Sequence, residues 1–430
     1  MTYSSAVEYL YGLQKHGIKL GLHNIGAILS RLGRPDRRYH TIHIAGTNGK
    51  GSTAAMTAAM LTAGGYRVGL YTSPHLVDFR ERIRVDDTMI PEARVSDLVA
   101  RIKELAEPDL PLTFFEFTTA VAFQYFAEAR VEVVVVEVGM GGRFDATNVV
   151  EPLVTAITTV SLDHEEYLGP TIERIAYEKA GIIKPGVPVV SGRLSDPAVR
   201  VIEKTAATQA APFYRLGRAF EIHGTPTAFD YMGLRARYRG LFCPLQGRHQ
   251  MDNAACAMAL LEVAESSGLR IEPRAIRDGL AATHWEGRLE VVDQNPTVVL
   301  DGAHNPEAAG VLGAFLADFR AAHPSGRIAL VLGMMRDKAH RSFLHILRPH
   351  IDELIVTQAD IARAATVQEL RDGLVDVMPS LHLVPSPGEA LTLARRLVTP
   401  ADLICVTGSL MLVGDMKALL RGWSPSPVRG

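Results

Sequence analysis

From Thr41 to about Val190 the chain alternates short runs of β-branched and aliphatic residues with stretches whose apolar positions recur at helical spacing. That rhythm predicts a mostly parallel α/β sheet. The run Val131 to Val138 (VEVVVVEV) is apolar on both alternating faces, which predicts a central strand covered on each side. Between about Pro212 and Pro244 the pattern changes to short aromatic-containing segments with Gly224, Gly233 and Gly240 and no long helical period, as in a small antiparallel insertion. Helices are expected over Gln250 to Ser266 and Pro273 to Ala281, the second opened by a proline suited to a first helical turn. A second α/β block begins near Asn295, with strands at TVVLD, RIALVLG, DELIVTQ, LHLVPS and DLICVTG separated by helix-length segments such as Pro306 to Arg320. Two such sheets imply two α/β domains with a cleft between them, residues 1–292 and 293–430, followed by a loose Pro- and Ser-rich tail (WSPSPVRG).

Composition narrows this picture. The 430 residues exceed what one hydrophobic core of roughly 250 to 300 residues holds. Hydrophobic residues make up 47% and charged residues 21%, with mean hydropathy +0.09, a profile that excludes disordered and fibrous chains. A formal net charge of -2 argues against a surface built to coat nucleic acid or an anionic membrane. Cys243, Cys256 and Cys405 lie far apart without metal-ligand spacing and read as reduced, buried thiols. The N-terminus lacks the basic start and apolar core of a signal peptide, and no apolar run is long enough to span a bilayer, so a cytoplasmic enzyme is expected.

The sharpest local signal is HIAGTNGKGST: an apolar strand ending at Ala45, a glycine-rich turn from Gly46 to Gly51, then a helix from about Ser52. Such a turn lets backbone N–H groups approach phosphate oxygens, and the helix N-terminus adds partial positive charge. Lys50 supplies a full charge, while Ser52 and Thr53 offer hydroxyls to phosphate or Mg²⁺. The motif is a variant P-loop, with Ile44 where the commonest pattern has its first glycine and Gly51 inserted after the lysine. No guanine-reading motif is present, so ATP is the expected nucleotide.

Polar residues at the carboxyl ends of strands carry most weight in an open α/β sheet. Ser73 and His75 follow the strand near Arg67 to Leu70, Glu137 closes the valine run, and Asp163 and His164 follow TAITTVSL. A carboxylate placed as deeply as Glu137 needs a cation, either Mg²⁺ carried by ATP or Arg143 nearby. By spacing alone Lys179, in YEKAGIIKPG, is a solvated helix lysine.

Taken together, the motifs GTNGKGS, TSPHL with ERIRV, FFEFTTAVAF, EVGMGGRFDATN, LDHEEYLG, EKAGIIK, GRHQMDNAA, GRLEVV, LDGAHNP, VLGMMRDK and TGSLMLVGD resemble the folylpolyglutamate synthase and dihydrofolate synthase family, and more distantly the muramyl peptide ligases. The resemblance implies an N-terminal P-loop ATPase domain, with a mostly parallel sheet and a small antiparallel insertion, and a smaller Rossmann-like C-terminal domain. It implies that Gly46, Thr47, Asn48, Gly49, Lys50, Gly51 and Ser52 hold the triphosphate, with Asn253, Arg288 and Asp301 also on the nucleotide. Ser52, Ser73, Glu137 and His164 would serve two Mg²⁺ sites, joined by a carbamylated Lys179, and His304 would orient the intermediate or glutamate. The pterin or folate side would use Leu20, Gly21, Phe115, Glu116, Phe117, Thr118, Phe144, Asp145 and Ala146.

The activity so implied is ATP-dependent joining of L-glutamate to a folate or to dihydropteroate through an acyl phosphate, by a monomer that binds neither nucleic acid nor membrane. The chain departs from the family pattern at Lys19, His23 and Asn24 on the pterin side, and at Ala339 and the residue before Arg363 in the C-terminal domain. Two other readings remain: a muramyl peptide ligase, disfavoured by FFEFTTAVAF and EKAGIIKPG, and a P-loop ATPase switch acting on a protein partner.

Overall fold

The computed structural model describes residues 1–17, 21–106, 109–374, 378 and 381–423; Lys19, Leu20 and residues 424–430 of the tail lie outside the described residues. The chain divides into two compact units, residues 1–75, 79–244 and 248–284 in one and 76–78, 245–247 and 285–430 in the other.

The first unit is built on eight strands: β1 (His40–Ala45), β2 (Val68–Tyr71), β3 (Ile83–Val85), β4 (Thr88–Met89), β5 (Val133–Glu137), β6 (Val154–Ile157), β7 (Val189–Ser191) and β8 (Phe213–Arg215). Their order is β4-β3-β2-β5-β1-β6-β7-β8, parallel except for β3 and β4. The valine run is the buried β5, set between β2 and β1 as its two-sided hydrophobicity requires. Register places Ile44 beside both Glu137 and Ala156, and Tyr71 beside Val136. The carboxyl ends of β1, β2, β5 and β6 therefore finish at nearly one level, and the loops that follow share one edge of the sheet.

Two helices beside this sheet, Lys50–Ala63 and His249–Ala264, are buried almost all round rather than along one stripe. Their sequences, KGSTAAMTAAMLTA and HQMDNAACAMALLEVA, are rich in alanine and other small residues, which allow close approach to neighbours. Gly279, in the helix Pro273–Ala281, shows how close: a Cβ there would lie 2.5 Å from the Cα of Met60.

The expected antiparallel insertion begins later than its composition suggested, because β8 pairs in parallel with β7 and belongs to the large sheet. The insertion itself is β9 (Glu221–Thr225), β10 (Ala228–Met232) and β11 (Arg237–Leu241), in the order β11-β10-β9. Glu262 ties it down by accepting the Leu234 and Ala236 amides, both at 2.8 Å, and the Tyr231 hydroxyl at 3.1 Å. Gly233 makes room for that carboxylate, whose oxygens would lie 2.4 Å from a Cβ at this position.

The second unit holds β12 (Glu290–Gln294), β13 (Thr297–Leu300), β14 (Ile328–Leu332), β15 (Glu353–Val356), β16 (Leu381–Leu383) and β17 (Leu403–Thr407), in the order β12-β13-β17-β14-β15-β16. Five strands are parallel, and β12 pairs antiparallel with β13 at the edge, so the sheet is mixed. Apolar clusters cover it, one including Leu312, Leu330 and Phe343, the other Val298, Ile404 and Leu412 with Leu76 and Val77. The expected boundary after residue 292 would cut β12, a strand whose modest apolar pattern (EVVDQ) had concealed it; the units divide at His284 and Trp285. Among the described residues no helix is long and apolar enough to cross a membrane.

Removing the Glu262 clamp should leave two backbone amides without their acceptor. Glu262→Ala is expected to cost about 2 kcal/mol in urea unfolding and to speed amide exchange at Leu234 and Ala236, with unaltered exchange there contradicting the role assigned to this carboxylate.

Candidate active site

The glycine-rich turn is braced from the end of β6. The Thr47 amide donates to the Thr159 carbonyl at 2.8 Å, the Asn48 amide to Thr159 Oγ1 at 3.0 Å, and Thr158 Oγ1 to the Asn48 carbonyl at 2.6 Å. Gly46 (φ +154°) has no room for a side chain, since its Cβ would lie 1.9 Å from Thr158 Oγ1. Gly49 is left-handed (φ +84°) at the start of the Lys50–Ala63 helix, and a Cβ there would lie 2.4 Å from Asn253 Oδ1. Asn253, expected on the nucleotide, thus sits near the start of the His249–Ala264 helix directly against the glycine-rich turn, its amide held by Gln250 at 2.9 Å. Thr158 and Thr159 were missed as candidates, although three hydroxyls at the end of TAITTVS are a readable signal for a strand end that supports a loop.

Two ammonium groups converge on this turn. Lys50 Nζ donates to the carbonyls of Gly46 and Thr47, each at 3.1 Å, and Lys179 Nζ donates to the same Gly46 carbonyl at 3.0 Å. Lys179 is buried, in the last turn of the helix Ile172–Ala180, and is not the solvated lysine that spacing alone indicated. The loop after β5 explains its placement. A Cβ on Gly142 would come within 2.9 Å of the Lys179 carbonyl, and one on Gly181 within 2.4 Å of Arg143 Cα. Asn148 Nδ2 bridges the Arg143 and Gly181 carbonyls at 3.0 and 3.1 Å.

Glu137 is buried at the end of β5, and its Oε2 accepts the Ser73 amide at 3.2 Å, which joins two of the expected metal residues across β2 and β5. Arg143, the alternative cation, is committed elsewhere: it donates to the Tyr177 carbonyl at 3.1 Å and lies 4.0 Å over the Tyr177 ring. Ser52 is buried in the first turn after the glycines, and His164 is half-exposed in a left-handed conformation (φ +50°). Among the described residues no three His, Cys, Asp or Glu side chains converge to hold a metal unaided. One carboxylate with neighbouring hydroxyls suits Mg²⁺ that arrives on phosphates and keeps some of its waters.

The expected acceptor residues separate into two groups. Phe115 packs against the loop after β5, its ring 2.5 Å from where a Cβ on Gly139 would be, and Phe144 is exposed beside it in sequence with Asp145. Asp145 is buried and accepts the Met140 amide at 2.9 Å, the Thr147 amide at 3.0 Å and the Thr147 hydroxyl at 2.5 Å. Burial raises its pKa against these donors. Ala146 is buried behind it. Glu116, Phe117 and Thr118, by contrast, serve their own helix, Phe114–Glu128: Glu116 completes a capping box with Thr113, Phe117 meets the Tyr9 ring edge-on, and Thr118 Oγ1 donates to the Phe114 carbonyl. Gly21 has φ +138°, and Leu20 lies outside the described residues.

In the second unit Asp301, at the end of β13, accepts the amides of Leu289 and Ala303 at 2.9 and 3.0 Å. Gly302 brings the backbone against Arg288, whose Nη1 would lie 2.3 Å from a Cβ there, and His304 Nδ1 donates to the Gly302 carbonyl at 2.8 Å. Arg288, Asp301 and His304 are thus assembled around one short segment.

Comparison with known proteins places the fold. Residues 44–261 match the Mur ligase middle domain, and residues 287–410 match the Mur ligase glutamate ligase domain. The dihydrofolate synthase/folylpolyglutamate synthase of Bacillus subtilis is 35% identical over 97% of this chain and 99% of its own. The folylpolyglutamate synthase of Lacticaseibacillus casei is 36% identical over 98% and 99%. Among solved structures, E. coli FolC in complex with DHPP and ADP superposes with a TM-score of 0.89 at 33% identity over 98% of both chains. The Yersinia pestis bifunctional enzyme complexed with AMPPNP and Mn superposes with a TM-score of 0.88 at 35% identity, again over 98% of both. The chain therefore belongs to the folylpolyglutamate synthase/dihydrofolate synthase family of Mur-type ligases.

Proposed function

We propose that the protein is an ATP-dependent ligase that adds L-glutamate to folates and to dihydropteroate through an acyl phosphate. The observation that carries this reading is the convergence of Lys50 and Lys179 on the Gly46 carbonyl, beside the Glu137 and Ser73 pair. A triphosphate cradled by the Gly46–Ser52 backbone would bring its negative charge to these two ammonium groups.

A carboxylate is a poor electrophile, so amide formation in water requires activation. Transfer of the γ-phosphoryl group of ATP to the acceptor carboxylate gives an acyl phosphate and ADP. The amine of glutamate attacks the acyl carbon, and the tetrahedral intermediate expels phosphate to leave the new amide. In the first step Lys50 and the loop amides offset the charge that builds on the transferring group. Glu137, Ser73 and Ser52 would hold Mg²⁺, with His164 at a second ion; bound there, the metal neutralises phosphate charge. Phe115, Phe144, Asp145 and Ala146 line the acceptor side in this reading. Arg288, Asp301 and His304 are assigned to nucleotide and glutamate on the strength of the family pattern.

Lys179 receives a specific role. Reaction of its neutral amine with carbon dioxide would form a carbamate and release a proton, which turns a buried cation crowded by Lys50 into a carboxylate that both lysine and metal chemistry favour. Monomeric action in the cytoplasm completes the reading, in keeping with ATP and glutamate as substrates.

Three measurements test it. Purified protein with ATP, Mg²⁺ and glutamate, offered dihydropteroate, a reduced folate or a muramoyl nucleotide in separate reactions, should give a mass increase of one or more glutamates on the first two only; addition to the muramoyl nucleotide alone would replace this reading with its nearest rival. Lys179→Ala should lower ligation by at least about a hundredfold, with partial recovery in short carboxylates such as formate, whereas full activity would remove the lysine from the chemistry. Gly46→Ala should weaken ATP binding at least about tenfold in calorimetric titration, because its methyl group meets Thr158 Oγ1; an unchanged Kd would mean the nucleotide sits elsewhere.

A further inference from the structure

His43 lies in the middle of β1, fully buried, where its register neighbours are Val136 and Thr155. A histidine is an expensive choice for such a position. Burial lowers its pKa to about 3, with Lys184 adding to the effect, so the ring is neutral. Its Nδ1 is buried with no hydrogen-bond partner among the described residues, a penalty that valine or isoleucine would avoid. Core packing alone does not account for it.

What the ring delivers is a single bond. His43 Nε2 lies 2.8 Å from Thr147 Oγ1. The Thr147 hydroxyl hydrogen is already given to Asp145 Oδ1 at 2.5 Å, so the threonine oxygen must accept and Nε2 must carry the ring hydrogen. The other Asp145 oxygen accepts the Met140 amide in the glycine loop that follows Glu137 and β5. A line of three side chains thus runs from the sheet interior to the loop, from His43 through Thr147 to Asp145.

We propose that His43 is a positioning residue for the acceptor: through the Thr147 hydroxyl it fixes Asp145, and with it residues 139–146, in the conformation that receives the folate or pteroate end of the substrate. This rests on the acceptor side assigned above. The hydrogen bond of His43 leads to Thr147 and on to Asp145, whereas Lys50 and Lys179 donate to the carbonyls of Gly46 and Thr47, so its influence falls first on the acceptor side.

The test compares His43→Phe, which keeps a ring and loses the donor, with His43→Gln, whose amide nitrogen can reach the Nε2 position. In steady-state ligation His43→Phe should raise KM for the acceptor about tenfold, as expected for one lost hydrogen bond in a charged network, with kcat and KM for ATP changed less than about twofold. His43→Gln should restore most of the acceptor KM, and Thr147→Val should reproduce the defect if His43→Phe does not fold. Amide exchange of residues 139–148 in the free protein gives a readout independent of activity: it should quicken in His43→Phe and Thr147→Val, but not in His43→Gln. Equal changes in both KM values, a glutamine variant as impaired as the phenylalanine one, or unaltered exchange would overturn the proposal. Wild-type protein that ligates no folate-type acceptor would instead defeat the reading of function, and the exchange experiment would still decide whether the line of side chains orders the loop.

Discussion

Lys50 and Lys179 point their ammonium groups at one carbonyl oxygen, that of Gly46. Like charges separated by at most ~6 Å repel by on the order of 2–3 kcal/mol at an intermediate dielectric, and each would move apart if its surroundings allowed. They do not allow it. Lys50 opens a helix buried nearly all round, and Lys179 closes a helix whose end is wedged against Gly142. In the proposed reaction a polyphosphate entering here, or loss of the positive charge on one lysine, would reduce that repulsion. Affinity for a polyphosphate and the carbamate proposed at Lys179 would both answer to this electrostatic constraint.

Rigidity around the two lysines comes from glycines that admit no substituent. At Gly46 and Gly49 the backbone is pressed against Thr158 and Asn253, and at Gly142 and Gly181 the loop after β5 is pressed against the Lys179 helix. In the first pair the closeness fixes the course of the glycine-rich turn. In the second it transmits the position of β5, and so of Glu137, to the lysine. A flexible glycine loop would do neither; these glycines permit close packing.

The parts legible in the sequence were those governed by local pattern. The valine strand, the strand–turn–helix at Gly46, the helix from Pro273 to Ala281 and five of the six strands of the second unit followed from periodicity and glycine or proline placement. What escaped depended on partners far away in sequence. Lys179 looked solvated because nothing in YEKAGIIKPG reveals the Gly46 carbonyl, which is 133 residues distant. The contact of Phe117 with the ring of Tyr9, in another helix, was hidden for the same reason. β12 escaped because a short edge strand half-exposed on one face has too few apolar residues to declare itself.

The segment Asp145–Thr147–Asn148 carries three polar side chains with different tasks within four residues. Asp145 gathers the glycine loop by accepting the Met140 amide, Thr147 receives the His43 ring, and Asn148 ties Arg143 to Gly181, two residues beyond Lys179. The Thr147 and Asp145 bonds hold the glycine loop to the sheet, and the Asn148 bonds hold it to the end of the Lys179 helix, so the two attachments are separate. In the proposed reaction the acceptor carboxylate must meet the γ-phosphoryl group, and this short turn would serve as a brace with one attachment for each side. Placing the brace on a short turn anchored in the sheet, and not on a long loop, keeps the entropy cost of holding the geometry in the folded protein instead of in the binding step.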